Sequence, residues 1–99
     1  MARFDVYRGR HGVPYLLDVQ SIFIDHLPTR VVVPLERLRE RLPEIRDLTP
    51  TLQVGGEDVI MMTPLIASIP KRLLGRPVGN LESERDTITR ALDRLLTGF

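Results

Sequence analysis

Ninety-nine residues, 42% of them apolar, suffice for a single domain over 1–99 with one modest core. The 14 basic and 13 acidic side chains leave a net charge of +1, which is no electrostatic footprint for nucleic acid, because that requires clustered, unbalanced Lys and Arg. There is no cysteine, so neither a disulfide framework nor a thiolate metal site can form, and no run approaches the roughly 18 apolar residues of a membrane span. Met1-Ala2-Arg3-Phe4-Asp5 lacks the apolar core of a signal segment, and the expectation is a soluble cytoplasmic protein.

Phe4-Asp5-Val6-Tyr7 alternates and reads as a first strand. After the loop Arg8-Gly9-Arg10-His11-Gly12, a second strand runs Tyr15 to Gln20, with Tyr15, Leu17 and Val19 on one face. Two such runs joined by a Gly-containing loop predict a hairpin. Ser21-Ile22-Phe23-Ile24-Asp25 is a short apolar patch, and His26-Leu27-Pro28-Thr29 is a turn. Arg30-Val31-Val32-Val33-Pro34-Leu35 has the strongest β character in the chain. Pro34 is expected at its end or at an edge, since it has no N–H to give to a ladder.

From Glu36 to Leu48 the charges alternate in sign, and the segment reads as a solvated excursion, with a helical turn or two allowed by Leu35, Leu38 and Leu42 before Pro43. Thr51 to Val54, the pair Gly55-Gly56, and Glu57 to Met62 predict a tight hairpin, because the two glycines supply the positive φ such a turn needs. Ala67 to Pro70 reads as another short strand, and Lys71 to Asn80 as a turn-rich connection.

The last stretch, Leu81 to Phe99, has helical periodicity. Leu81, Ile88, Leu92, Leu95 and Phe99 form the apolar stripe, widened by Ala91 and Leu96. Ser83 is the expected N-cap, and Gly98 the expected left-handed stop. Several short antiparallel strands and one terminal helix predict a mainly β fold, a small barrel or curled sheet. Signs of catalysis are missing from the pattern. His11 and His26 fall in loops without a carboxylate at ligand spacing, so neither metal nor cofactor is expected. No nucleophile elbow is present, and Gly55-Gly56 is followed by two acids that would repel a phosphate.

Asp18-Val19-Gln20-Ser21 with Arg30-Val31-Val32-Val33-Pro34-Leu35, then Met61-Met62-Thr63 with Ala67-Ser68-Ile69-Pro70, then a terminal helix ending in Gly98 plus one apolar residue, resembles the CcdB family of toxins from type II toxin–antitoxin systems. The likeness covers nearly the whole chain in the same order. It implies a homodimer of small antiparallel barrels of the Src-homology-3 type, each with a C-terminal helix, and no enzymatic activity. Such proteins bind the A subunit of DNA gyrase and trap the enzyme on cleaved DNA. A partly disordered cognate antitoxin neutralises them and represses the shared operon. The resemblance gives gyrase binding to the tail, here Thr97, Gly98 and Phe99. It places an antitoxin-binding surface at Phe23, Ile24 and Asp25 with Asp93 and Leu96 of the helix, extending to the excursion around Arg41 to Leu48.

Two positions depart from the family pattern. Thr97 stands where an aromatic is usual, and Ile22 where an acid is common. Two further readings stand beside the first: an endoribonuclease toxin like the related MazF proteins, which share the fold and would use a loop arginine such as Arg8 or Arg30, and, because of Thr97, a silent homologue that binds only antitoxin.

Overall fold

The computed structural model describes residues 2–38 and 44–98. The first hairpin forms as expected from β1 (Asp5–Arg8) and β2 (Tyr15–Asp18), with Val6 opposite Leu17 and Arg8 opposite Tyr15. Gly9 is required in its loop. The Gly9 N–H donates to the Pro14 carbonyl at 2.9 Å, and a Cβ at Gly9 would stand 2.1 Å from the Val13 oxygen. Both strands are one or two residues displaced or shorter than their sequence patterns suggest. Phe4, Val19 and Gln20 lie outside the regular ladder, although the N–H of Phe4 reaches the Asp18 carbonyl at 2.7 Å and that of Val19 the Val31 carbonyl at 3.0 Å.

Strand β3 (Thr29–Arg37) is the centre of the sheet. One side pairs with β2. The other side changes partner along its length. β4 (Thr51–Val54) and β5 (Glu57–Met61) form the hairpin around Gly55-Gly56, at φ 58° and 84°, and β5 takes Leu35 to Arg37. β6 (Ala67–Pro70) takes Thr29 to Val32. Pro34 is thus inside a central strand, opposite Leu16, and not at an end or edge. Its carbonyl accepts from Met62 N–H at 2.9 Å, so the missing donor points at the seam where β6 has ended and β5 not yet begun. No ladder bond is lost there. The same pairing with β5 carries β3 through Glu36 and Arg37, two residues that belong to the sheet and not to a solvated excursion. Arg37 Nε donates to Glu57 Oε2 at 3.1 Å, an exposed pair that tethers the strand's end. Arg39, Glu40, Arg41, Leu42 and Pro43, and with them the expected helical turn, lie outside the described residues.

Short β7 (Gly79–Asn80) closes the order β4-β5-β3-β2-β1-β7. The result is a nearly closed antiparallel sheet of the small Src-homology-3 barrel type, with one α-helix among the described residues. One face of the sheet, built from Val6, Leu17, Val33, Leu35, Val59 and Met61, holds the core. Helix α1 (Arg85–Thr97) covers it with Ile88, Ala91 and Leu92. Each large side chain so buried contributes about 1.5–3 kcal/mol before entropy costs.

The helix is entered differently from its sequence pattern. A 3-10 turn, Glu82–Glu84, precedes it, and Ser83 caps nothing. Asn80 performs that function three residues earlier: its Oδ1 accepts from Glu82 N–H at 2.8 Å. Gly98 does stop the helix, at φ 80°, with its N–H directed at the Asp93 and Arg94 carbonyls.

Candidate functional site

The apolar patch after β2 is a 3-10 turn, Ile22–Ile24, which leaves its large side chains in solvent. Ile22 is 60% exposed and Phe23 87%. Two polar residues hold it. Ser21 Oγ accepts from Phe23 N–H at 3.2 Å, the side-chain cap of the turn. Gln20, almost fully buried, donates from Nε2 to the Ile24 carbonyl at 2.8 Å and accepts at Oε1 from Val31 N–H at 2.9 Å. One primary amide therefore ties the turn to β3, and its strand-like sequence context gave no signal of that role. Lys71 Nζ lies 3.4 Å from the Asp25 carbonyl at the turn's far end.

Arg3 is a second residue the pattern did not flag. Its Nε donates to the Val19 carbonyl at 3.2 Å, and its guanidinium carbon stands 4.7 Å from the centre of the Phe4 ring. Phe4 has φ 72°, unfavourable for a bulky side chain. The conformation is held by a turn, Asp5 N–H to Ala2 carbonyl at 3.1 Å, and by burial of the ring in the core.

Between turn and helix lies a mostly apolar groove of about 330 Å³, floored by Val19, Val31, Ile66 and Leu92. Ile24, Asp93 and Leu96 meet on its walls, so three of the sequence-predicted residues are brought together. Leu96, 73% exposed, stands out of the apolar stripe instead of completing it. Phe23 lines the adjoining hollow, about 310 Å³, with Arg3 shared between the two. Asp25 lines neither. Thr97 and Gly98 follow beyond the groove, and Thr97 is satisfied locally, its hydroxyl donating to the Asp93 carbonyl at 2.7 Å. Arg94 Nη1 donates to the Gly98 carbonyl at 3.0 Å. Phe99 lies outside the described residues.

The sheet's other face buries charge. Arg30 and Asp18 are fully buried, with Arg30 Nε and Nη2 at 2.9 and 2.7 Å from Asp18 Oδ2. Asp18 Oδ1 accepts from Gln20 N–H at 3.0 Å. Burial pushes the Asp18 carboxyl up, against the Gln20 amide and the Arg30 guanidinium, which pull it down. Arg30 is thus a strand residue sealed in an ion pair, and it cannot serve as a loop arginine that touches RNA.

Tyr7 shares this interior, and among the described residues its hydroxyl has no hydrogen-bond partner within bonding distance. Burial, then the charges of Asp5 and Asp18, push it from 10 up to about 12. The folded chain therefore keeps a proton that the unfolded chain releases between those values. Stability should fall as pH rises through that window. The drop in urea midpoint between pH 10 and 12 is expected to be larger for the parent than for Tyr7→Phe. Equal drops in both proteins would refute the assignment.

Among the described residues, no three His, Asp or Glu side chains converge to hold a metal ion, and His11 and His26 are both exposed. The positive features are an apolar turn held out into solvent, a groove beside it and the end of the helix. No helix among the described residues is long and apolar enough to cross a membrane. A family model described as CcdB protein matches residues 3–98, which takes in every strand, the turn, the groove and the helix stop at Gly98. With that match over nearly its full length, the chain belongs to the CcdB family, a family of toxins of toxin–antitoxin systems.

Proposed function

We propose that this protein poisons DNA gyrase in the cytoplasm by binding and not by catalysis. Two copies associate, and the paired tails Thr97, Gly98 and Phe99 engage the A subunit and hold the gyrase–DNA cleavage complex. A cognate antitoxin neutralises the toxin over Phe23, Ile24, Asp25, Asp93 and Leu96, and represses the shared operon. The observation that carries this reading is the nearness of two large exposed apolar side chains, Leu96 on the groove next to the helix end and Phe23 on the hollow that adjoins it. A monomer rarely leaves such groups in solvent without a partner for them. A two-fold pair presenting two identical tails also suits a two-fold target.

Thr97 weakens the contact relative to an aromatic. Its hydroxyl is already used within the helix. Where an aromatic would stack on an arginine, its loss removes about 0.5–2 kcal/mol per subunit. Phe99 is the compensating aromatic in this reading.

The test is a supercoiling and cleavage reaction with purified gyrase, DNA and ATP. Protein-linked linear DNA is the expected product. A folded dimer that binds antitoxin but leaves gyrase untouched at micromolar concentration would favour the silent homologue, and cleavage of added RNA would favour the ribonuclease.

A further inference from the structure

We infer that the pole formed by the β1–β2 loop and the segment between β6 and β7 is a contact surface for the phosphate backbone of duplex DNA. The net charge of +1 hides a segregation. From Val6 to Leu17 and from Val59 to Leu81 the chain carries no Asp or Glu, yet it carries Arg8, Arg10, Lys71, Arg72 and Arg76. Since five of the 14 basic side chains and none of the 13 acidic ones lie there, the remainder of the chain is net acidic.

The fold joins the two segments. Arg10 Nη2 donates to the Leu73 carbonyl at 3.3 Å, and Val78 N–H to the Val6 carbonyl at 2.7 Å. Val6 is opposite Gly79, so continuing that antiparallel register sets Arg8 beside Pro77, next to Arg76. Among the described residues none of the five cations has a carboxylate within ion-pair distance. The neighbouring acids include Asp25, whose main-chain carbonyl meets Lys71, Glu57, which is taken by Arg37 and Tyr15, and Asp5, whose Oδ1 accepts from Asn80 Nδ2 at 2.9 Å.

Phosphate suits this surface better than an acidic polypeptide. Four of the five cations are arginines, whose forked donors match phosphate oxygens. The main chain is also open: a Cβ at Gly12, Gly75 or Gly79 would meet nothing within 4 Å, so a bulky, evenly charged backbone can approach closely. The most exposed large apolar groups, which a protein partner would use as anchors, are Phe23 and Leu96, and both lie elsewhere; Leu65, Leu73 and Val78 in these segments are exposed to a lesser degree. The inference stands apart from the gyrase reading and is tested without gyrase.

The experiment is fluorescence anisotropy of a labelled duplex of mixed sequence, with the purified full chain. Binding is expected at protein concentrations up to about 100 μM at low salt, with a slope of log affinity on log salt near −4.5 if all five cations engage. Affinity then falls about 500-fold between about 50 and 200 mM salt. Arg72→Gln with Arg76→Gln, neither of whose side chains makes an ion pair among the described residues, should lessen the slope by about 2. Arg90→Gln, a cation on the helix, should leave it unchanged. No binding at low salt overturns the proposal, as does a slope the double variant leaves intact. Tighter binding of an oligoglutamate peptide of equal charge would assign the pole to an acidic polypeptide and overturn it equally. Circular dichroism confirms that each variant is folded.

Discussion

Arg30→Met is expected to destabilise the protein by about 3–5 kcal/mol, because it leaves the Asp18 carboxylate buried without its cation. The whole fold of such a domain is stable by only about 5–15 kcal/mol, so the variant would be near the limit of folding. Asp18 is already pushed toward its neutral form by burial, and without Arg30 it will take up a proton at higher pH than before. The variant should therefore recover part of its loss on acidification, because the protonated carboxyl is the cheaper one to bury. A second variant separates the worth of the pair from the cost of breaking it. Asp18→Leu with Arg30→Met removes both charges and should regain most of the loss, since desolvating two ions offsets much of their attraction. Urea midpoints and slopes of the parent, both single variants and the double variant complete the cycle. A loss below about 1 kcal/mol for either single variant would mean that the pair is reached by water and is not part of the core.

The second large effect concerns binding and leaves the fold alone. Phe99→Ala is expected to abolish gyrase poisoning, and Phe23→Ala to weaken antitoxin binding by about thirtyfold or more, the usual result of truncating an aromatic anchor. Phe23 is 87% exposed, so its removal should change stability by no more than about 0.5 kcal/mol. Melting temperatures equal to the parent's are part of the expectation. Linear DNA from the gyrase reaction and the titration of antitoxin against toxin are separate readouts. A folded Phe99→Ala protein that still linearised DNA would remove the tail from the mechanism. A Phe23→Ala protein neutralised as readily as the parent would remove the turn from the antitoxin surface.

Features set by local chemistry could be read from the sequence. Gly55-Gly56 marked its hairpin because a tight turn needs positive φ at both positions, and Gly98 marked the helix stop for the same reason. The stripe of Ile88, Ala91 and Leu92 marked the buried side of the helix. What sequence pattern missed depends on distant partners. Pro34 looked like a strand end, because nothing local says that β3 changes neighbours there. Glu36 and Arg37 looked solvated, although pairing with Ile60 and Val59 makes them strand. Asp18 lay on the face opposite Leu17, which alternation alone would assign to solvent. A curled sheet buries part of both faces, so Asp18, Tyr7 and Arg30 went inside. At the candidate site, the composition of the turn and helix end was legible, but the Gln20 amide that joins the turn to β3 was not.

That amide determines what binding costs in disorder. A free loop of three residues would lose about 1–2 kcal/mol of backbone entropy per residue when captured by a partner. Ile22–Ile24 is already fixed in the isolated chain by Gln20 from inside and Ser21 from outside. About 3–6 kcal/mol of ordering has thus been met during folding, and a partner meets Phe23 on a rigid mount. Gln20→Glu would keep the shape and lose the donor to Ile24, returning that ordering cost to the moment of encounter.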